Sequence, residues 1–137
     1  MRFVLDCSMT MARLFQDEAT ERTDAVRDSL LTRVAVVPVL WSIEVANVLL
    51  VATRKGSIRV EDWLRIRADL AMLPIETDGK TAEYALTDAL PLAQRYGLSA
   101  YDAVYLELAL RLKAPLATLD RKLAAVCHEA GIDALTG

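Results

Sequence analysis

Four acidic residues stand in apolar surroundings. Asp6 follows Phe3-Val4-Leu5, and Glu44 lies among Ile43, Val45, Ala46, Val48 and Leu49. Asp102 sits in Leu98-Ser99-Ala100-Tyr101-Asp102-Ala103-Val104-Tyr105, and Asp120 follows Leu116-Ala117-Thr118-Leu119. Burying an ionised carboxylate is costly unless it is paired or binds a metal ion. If the four converge on one cleft, their mutual repulsion demands a cation, and carboxylate oxygens suit Mg²⁺ or Mn²⁺. Plainer uses stay open for three of them. Asp6 can accept hydrogen bonds from the turn that follows it. Ser99 to Asp102 reads as a capping box, and Asp120 can cap the helix after it. Glu44 is harder to explain away, because no basic residue stands at 40, 41, 47 or 48 to pair with it. Asn47, one turn on, offers only a neutral amide.

These acids have to be placed by the elements around them. Arg2 to Leu5 reads as a short buried strand that ends at Asp6, and Ser8 or Thr10 can cap a helix running to Phe15. A polar connection over 17–22 leads to a helix marked by Ala25, Val26, Leu30 and Leu31. Val34 to Val37 is a second strand closed by Pro38. A helix from Ser42 to Lys55 follows, stopped by Gly56, and another spans Val60 to Met72. Pro74 to Thr77 is a short third strand. Thr81 to Tyr96 is helical, with Pro91 bending or dividing it. A helix from Ser99 to Lys113 precedes a strand over Pro115 to Thr118. The pattern closes with a helix from Asp120 to Ala130 and a strand over Ile132 to Leu135. Short apolar strands alternating with helices imply an α/β/α sandwich around a mostly parallel sheet of four to five strands. In such sheets ligands bind beyond the carboxyl ends of the strands.

The chain has 137 residues, of which 54% are hydrophobic, enough for one domain over 1–137 and incompatible with intrinsic disorder. Its formal net charge is −3, so bulk positive charge does not hold nucleic acid here. Local cations or a bound metal would have to. Cys7 and Cys127 form neither a disulfide framework nor a zinc-ligand spacing, and surface or half-buried roles are expected for both. Asp6 interrupts the first apolar stretch, so no signal peptide is expected. Val34 to Ala52 superficially resembles a membrane span, but Pro38, Ser42, Glu44 and Asn47 break it up. A reducing cytoplasm is the expected location. No Gly-x-x-x-x-Gly-Lys or Gly-x-Gly-x-x-Gly run exists, which argues against a nucleotide-binding enzyme. A phosphoacceptor receiver would carry a second acid beside Asp6, where Cys7 stands.

Phe3-Val4-Leu5-Asp6-Cys7-Ser8, Glu44-Val45-Ala46-Asn47, Leu98 to Tyr105 and Leu116-Ala117-Thr118-Leu119-Asp120-Arg121-Lys122-Leu123 together resemble the PIN-domain family. The resemblance is closest to the VapC-type toxins of prokaryotic toxin–antitoxin pairs and covers nearly the whole chain. It implies a parallel α/β/α fold and a Mg²⁺- or Mn²⁺-dependent endoribonuclease, silenced by a cognate VapB-type antitoxin. The family's acidic positions map onto Asp6, Glu44, Asp102 and Asp120, and its supporting polar positions onto Ser8, Asn47 and Thr118. Cys7 stands where Ala or Ser is common and Ser99 where Thr is common; neither removes a ligand. A housekeeping RNA-processing or DNA-cleaving relative, or a non-catalytic α/β binding domain, is the alternative.

Phosphodiester hydrolysis places extra negative charge on the phosphoryl oxygens, which a carboxylate-held divalent ion can offset. Asp6 and Asp102 are the expected direct ligands. Asp120 and Glu44 would hold a second ion or a ligand water, or orient the nucleophile. Ser8 and Thr118 would fix carboxylate rotamers, and Asn47 would meet a ligand water or the RNA substrate. Arg121, Lys122 and Arg13 are the cations placed to reach a phosphate. Met9, Met11, Leu14 and Phe15 read as core, or as part of a groove for a partner helix. The high apolar fraction leaves room for a homodimer. Tyr101 and Tyr105 are expected to pack, and Glu107 with Arg111 reads as a solvated i, i+4 pair.

Overall fold

The structure, a computed structural model, describes residues 2–14 and 33–136, apart from the side chains of Arg13 and Leu14. The expected connection over 17–22 and helix over 25–32 lie outside the described residues. Five strands are present: β1 (Arg2–Leu5), β2 (Val34–Pro38), β3 (Ile75–Asp78), β4 (Leu116–Ala117) and β5 (Ala134–Leu135). They form one all-parallel sheet in the order β3-β2-β1-β4-β5. The flanking helices are α1 (Cys7–Leu14), α2 (Leu40–Arg54), α3 (Trp63–Ala71), α4 (Thr81–Tyr84), α5 (Leu90–Tyr96), α6 (Ala100–Leu112) and α7 (Arg121–Glu129). The expected α/β/α fold is the observed one.

The strand order decides where a ligand can sit. From β1 the chain winds outward through β2 and β3, then returns to lay β4 on the other side of β1. The order therefore reverses between β1 and β4, and the crevice beyond their carboxyl ends is the topological switch point. Val4 pairs with Leu116 and Leu5 with Ala117, so Asp6 and Thr118 leave the sheet side by side. The centre is dry: Phe3, Val4, Ala35, Val37, Leu106, Leu116 and Ala117 are fully buried. Fully covered central strands explain why β1 and β2 read as unbroken apolar runs rather than alternating ones.

Several expectations need correction. Asp6 rather than Ser8 or Thr10 caps α1, accepting the Met9 N–H. Helix α2 begins at Leu40, two residues before Ser42. The segment from Thr81 to Tyr96 is divided. A π-turn over Ala85–Ala89 separates α4 from α5, and Pro91 falls in the first turn of α5. Proline lacks an N–H and crowds the carbonyl four residues back, so the widened turn relieves a clash with Thr87. Cys7 and Cys127 are buried core residues, not surface ones. Burial pushes their thiols up to about 12 and about 11, respectively. Met9 and Met11 are likewise core. Tyr105 packs as expected, but Tyr101 is 63% exposed and does not.

The Glu107–Arg111 pair is not a solvated one. Glu107 is only 5% exposed. Arg111 grips it through Nε at 2.8 Å and also forks onto both oxygens of Asp78, each at 2.9 Å. Arg111 further lies 4.5 Å from the centre of the Tyr84 ring. One guanidinium thus ties α6 to the end of β3 and to α4. Among the described residues no helix is long and apolar enough to cross a membrane.

Candidate active site

At the end of β1 the chain turns into α1, and Asp6 occupies the cap position with 6% of its surface exposed. Its Oδ1 accepts from the Ser8 hydroxyl at 2.7 Å and from the Met9 N–H at 3.0 Å. Its Oδ2 accepts from the Thr118 hydroxyl. A carboxylate has about four lone-pair sites, so one on Oδ2 is left for something outside this network. The two hydroxyls also stitch the crevice shut beneath Asp6. Ser8 Oγ accepts from the Leu119 N–H, and Thr118 Oγ1 from the Asp120 N–H, both at 3.0 Å. Small hydroxyl residues suit this place because each donates to the acid on one strand end while accepting from the backbone of the other.

Asp120 caps α7, its Oδ1 accepting from the Leu123 N–H at 2.9 Å. Asp102 lies in the first turn of α6, where Ser99 caps the helix by accepting the Asp102 N–H at 3.1 Å. The plainer capping uses are therefore real for Asp6 and Asp120. They do not exclude a second use, since each bond to the backbone occupies one oxygen only. Glu44 is held from below: Tyr105 Oη donates to its Oε1 at 2.5 Å. As the sequence suggested, no basic side chain pairs with Glu44 among the described residues. Asn47 is exposed on α2, one turn beyond.

Electrostatics shows which acids feel one another. Burial raises the Asp6 carboxyl above its usual range, hydrogen bonds from Thr118, Met9 and Ser8 oppose this, and the charge of Asp102 adds to it. Burial also raises Glu44, against the Tyr105 hydrogen bond, with Asp6 and Asp102 pushing further upward. Asp102 is raised by burial and by Asp120, against Ser99 and Lys122. Glu44, Asp6 and Asp102 thus repel mutually, and Asp120 couples to the group through Asp102. Among the described residues, no three His, Cys, Asp or Glu side chains are gathered tightly enough to hold one ion as they stand. The donor set nevertheless fits a hard divalent cation: oxygen-only, anionic, and without a cationic side chain on Asp6 or Glu44.

The candidate phosphate-reaching cations divide. Arg121, in the first turn of α7, is exposed, and no described residue pairs with it. Lys122 is committed locally: its Nζ donates to the Gly97 carbonyl, at a left-handed turn (φ 64°) between α5 and α6. Arg13 belongs to α1, but its side chain lies outside what is described. Sequence reasoning missed the Tyr105–Glu44 bond. The available signal was spacing, since Tyr105 stands three residues after Asp102 and so shares its face of α6.

A family model for the PIN domain matches residues 3–129. Ribonuclease VapC3 of Pyrobaculum aerophilum is 30% identical over 125 residues, spanning 90% of this chain and 93% of that protein. A crystal structure from the same organism superposes with a TM-score of 0.67 at 22% identity, covering 98% of this chain and 84% of the other. VapBC2 of Rickettsia felis, crystallised with a DNA fragment from its promoter, gives 0.65 at 16% identity, over 100% and 99% of the two chains. A toxin–antitoxin complex from Klebsiella pneumoniae gives 0.58 at 16% identity, with 90% of each chain covered. At these identities the solved structures share the fold.

Proposed function

Because this chain belongs to the PIN-domain family, we propose that it is a Mg²⁺- or Mn²⁺-dependent endoribonuclease acting as the toxin of a toxin–antitoxin pair. The observation that carries this reading is the set of mutually repelling carboxylates at the β1/β4 switch point, raised by burial and by one another with no cation on Asp6 or Glu44. An Asp6 that only capped a helix would gain nothing from being brought within reach of two like charges, Glu44 and Asp102. The ribonuclease relative, which spans nearly the whole chain, points to the same chemistry.

In this reading Asp6 and Asp102 would hold the ion directly. Asp120 and Glu44 hold ligand waters or a second ion. Ser8 and Thr118 keep Asp6 in one rotamer, so that its charge is aimed before the ion arrives. A bound divalent ion supplies positive charge to the phosphoryl oxygens and acidifies water at neutral pH. Asn47 is placed to meet substrate or a ligand water, and Arg121 to meet a phosphate of the RNA. Arg13 is a further candidate for that rim, while Lys122 acts mainly on the turn before α6. The whole chain works as one nuclease domain in the cytoplasm, and a homodimer is its expected assembly.

A VapB-type antitoxin is the proposed protein partner. The toxin–antitoxin complexes among the structural neighbours support it, and so does an apolar groove between α2 and α3. That groove is lined by Trp41, Val45, Leu49, Trp63, Leu70 and Leu73, a surface suited to the apolar face of a partner helix. The test of the enzymatic reading is cleavage of structured and unstructured RNA by the purified chain in chelator, in Mg²⁺ and in Mn²⁺, with DNA alongside. RNA cleavage that needs either metal is expected; cleavage of DNA alone would replace the substrate, and none under any condition would reject the proposal. Arg121→Ala should raise KM severalfold with kcat little changed, if it meets only a ground-state phosphate. A large fall in kcat at unchanged KM would instead move Arg121 to the transition state.

A further inference from the structure

One side-chain bond at the site joins Tyr105 on α6 to Glu44 on α2, residues 61 apart in sequence. Tyr105 is 2% exposed, with its ring set in the main core among residues of β1, α1 and α2. Its position is therefore not adjustable. Glu44 is the opposite kind of group. It is half-buried, it has one more side-chain torsion than an aspartate, and neither capping nor an ion pair holds it. Asp6 and Asp120 are aimed by the backbone N–H groups their carboxylates accept. Glu44 projects from α2 and needs an external stop.

We infer that Tyr105 is a positioning residue, whose hydroxyl bond to Oε1 of Glu44 aims that carboxylate at the cation site and locks α2 to the helix that carries Asp102. The inference rests on the four-carboxylate reading above. Three observations converge on it. Tyr105 follows Asp102 by three residues, so one face of α6 delivers both the acid and the group that fixes its neighbour. The hydroxyl meets Oε1 only, and among the described residues no donor occupies Oε2. That oxygen stays available to an ion or its water. Glu44 is also electrostatically coupled to both Asp6 and Asp102, which puts it on the acid cluster rather than beside it. A buried tyrosine hydroxyl usually finds a hydrogen-bond partner. Here the hydroxyl is spent on the one acid that has no other anchor.

The substitution that isolates the hydroxyl is Tyr105→Phe, which keeps the ring and its packing. Mn²⁺ binding to the metal-free protein is measured by titration calorimetry for the native chain, Tyr105→Phe, Glu44→Gln and the double variant. RNA cleavage is followed in parallel as a function of Mn²⁺. Removing a hydrogen-bond partner behind a ligating group commonly costs about tenfold or more in metal affinity or activity. The expected result is a roughly tenfold weaker Mn²⁺ affinity for Tyr105→Phe, with no further loss when Glu44→Gln is already present. A matched loss in half-saturating Mn²⁺ should appear in cleavage, with KM for RNA unchanged. Native binding together with unaltered binding by Tyr105→Phe would overturn the inference and leave the carboxylate site standing. An equal loss in both backgrounds would also overturn it, because Tyr105 would then act on the fold and not through Glu44. Absence of Mn²⁺ binding by the native chain would instead remove the carboxylate site itself, and the inference with it.

Discussion

Asp102→Asn protein is expected to fold normally and to lose at least roughly two orders of magnitude of metal-dependent RNA cleavage, the scale seen when one electrostatic contact to developing charge is removed. The amide keeps the shape of the side chain and surrenders the charge that would hold the ion. Its helix start survives, because the cap is made by the Asp102 backbone N–H to Ser99, not by the substituted group. Single-turnover cleavage at saturating Mn²⁺, with circular dichroism as the fold control, checks it. Undiminished cleavage removes Asp102 from the site. Asp6→Asn is a less clean probe. All three described partners of Asp6 donate to it, so an amide NH₂ is satisfied only if the Thr118 hydroxyl turns from donor to acceptor and gives up its own bond. That variant should lose stability as well as activity, and a fall in its rate alone assigns nothing.

Arg111→Ala should cost about 2–3 kcal/mol of stability, somewhat below the range for a fully buried pair because the cluster opens on one side to a groove. The loss is large because Arg111 serves two acids at once. Removing it strands Glu107, 5% exposed, and frees Asp78, whose carboxyl the Arg111 fork holds below its usual range. The pH dependence follows from that direction. The Asp78 contribution is present above the ordinary carboxylate range and is lost as pH falls through its depressed value. Urea unfolding at neutral pH and at progressively acid pH measures both. A midpoint unchanged in Arg111→Ala would show that the cluster is solvated after all.

The sheet was legible in the sequence because its central strands are apolar throughout and end at punctuation that physics requires: Asp6 after β1, Pro38 closing β2. The strand order was not, since nothing in Leu116 or Ala117 says which neighbour they will pair with. The four acids were visible as charges in apolar company, and Glu44 most clearly, as an acid with no basic neighbour. What failed was non-local. The grip of Arg111 on Asp78 crosses 33 residues and turns what reads as a surface pair into a half-buried cluster. The π-turn at Ala85–Ala89 was half-seen, through Pro91, but how a helix absorbs a proline depends on what it packs against. The sequence places Lys122 as a phosphate contact after Asp120, and does not show its bond within the fold. The Gly97 carbonyl that claims it lies on a turn 25 residues earlier.

In the proposed function, Asp6, Glu44, Asp102 and Asp120 form one cation site and are not unrelated caps and surface acids. Because Asp6, Glu44 and Asp102 hold protons more readily in the folded chain, metal-free stability should fall as pH rises from the ordinary carboxylate range through their raised values. At neutral pH the cluster is therefore a source of repulsion that a bound cation would relieve. Thermal melting of the native chain and Asp102→Asn, each in chelator and in saturating Mn²⁺, reads this directly. In chelator, Asp102→Asn should be the more stable by about 1 kcal/mol, with relief of repulsion outweighing the lost attraction to the start of α6. Mn²⁺ at a hundred times its dissociation constant should stabilise the native chain by about 2.7 kcal/mol, and Asp102→Asn far less. If Asp102→Asn is instead the less stable protein in chelator and Mn²⁺ moves neither melt, the acids are caps and no cation site exists.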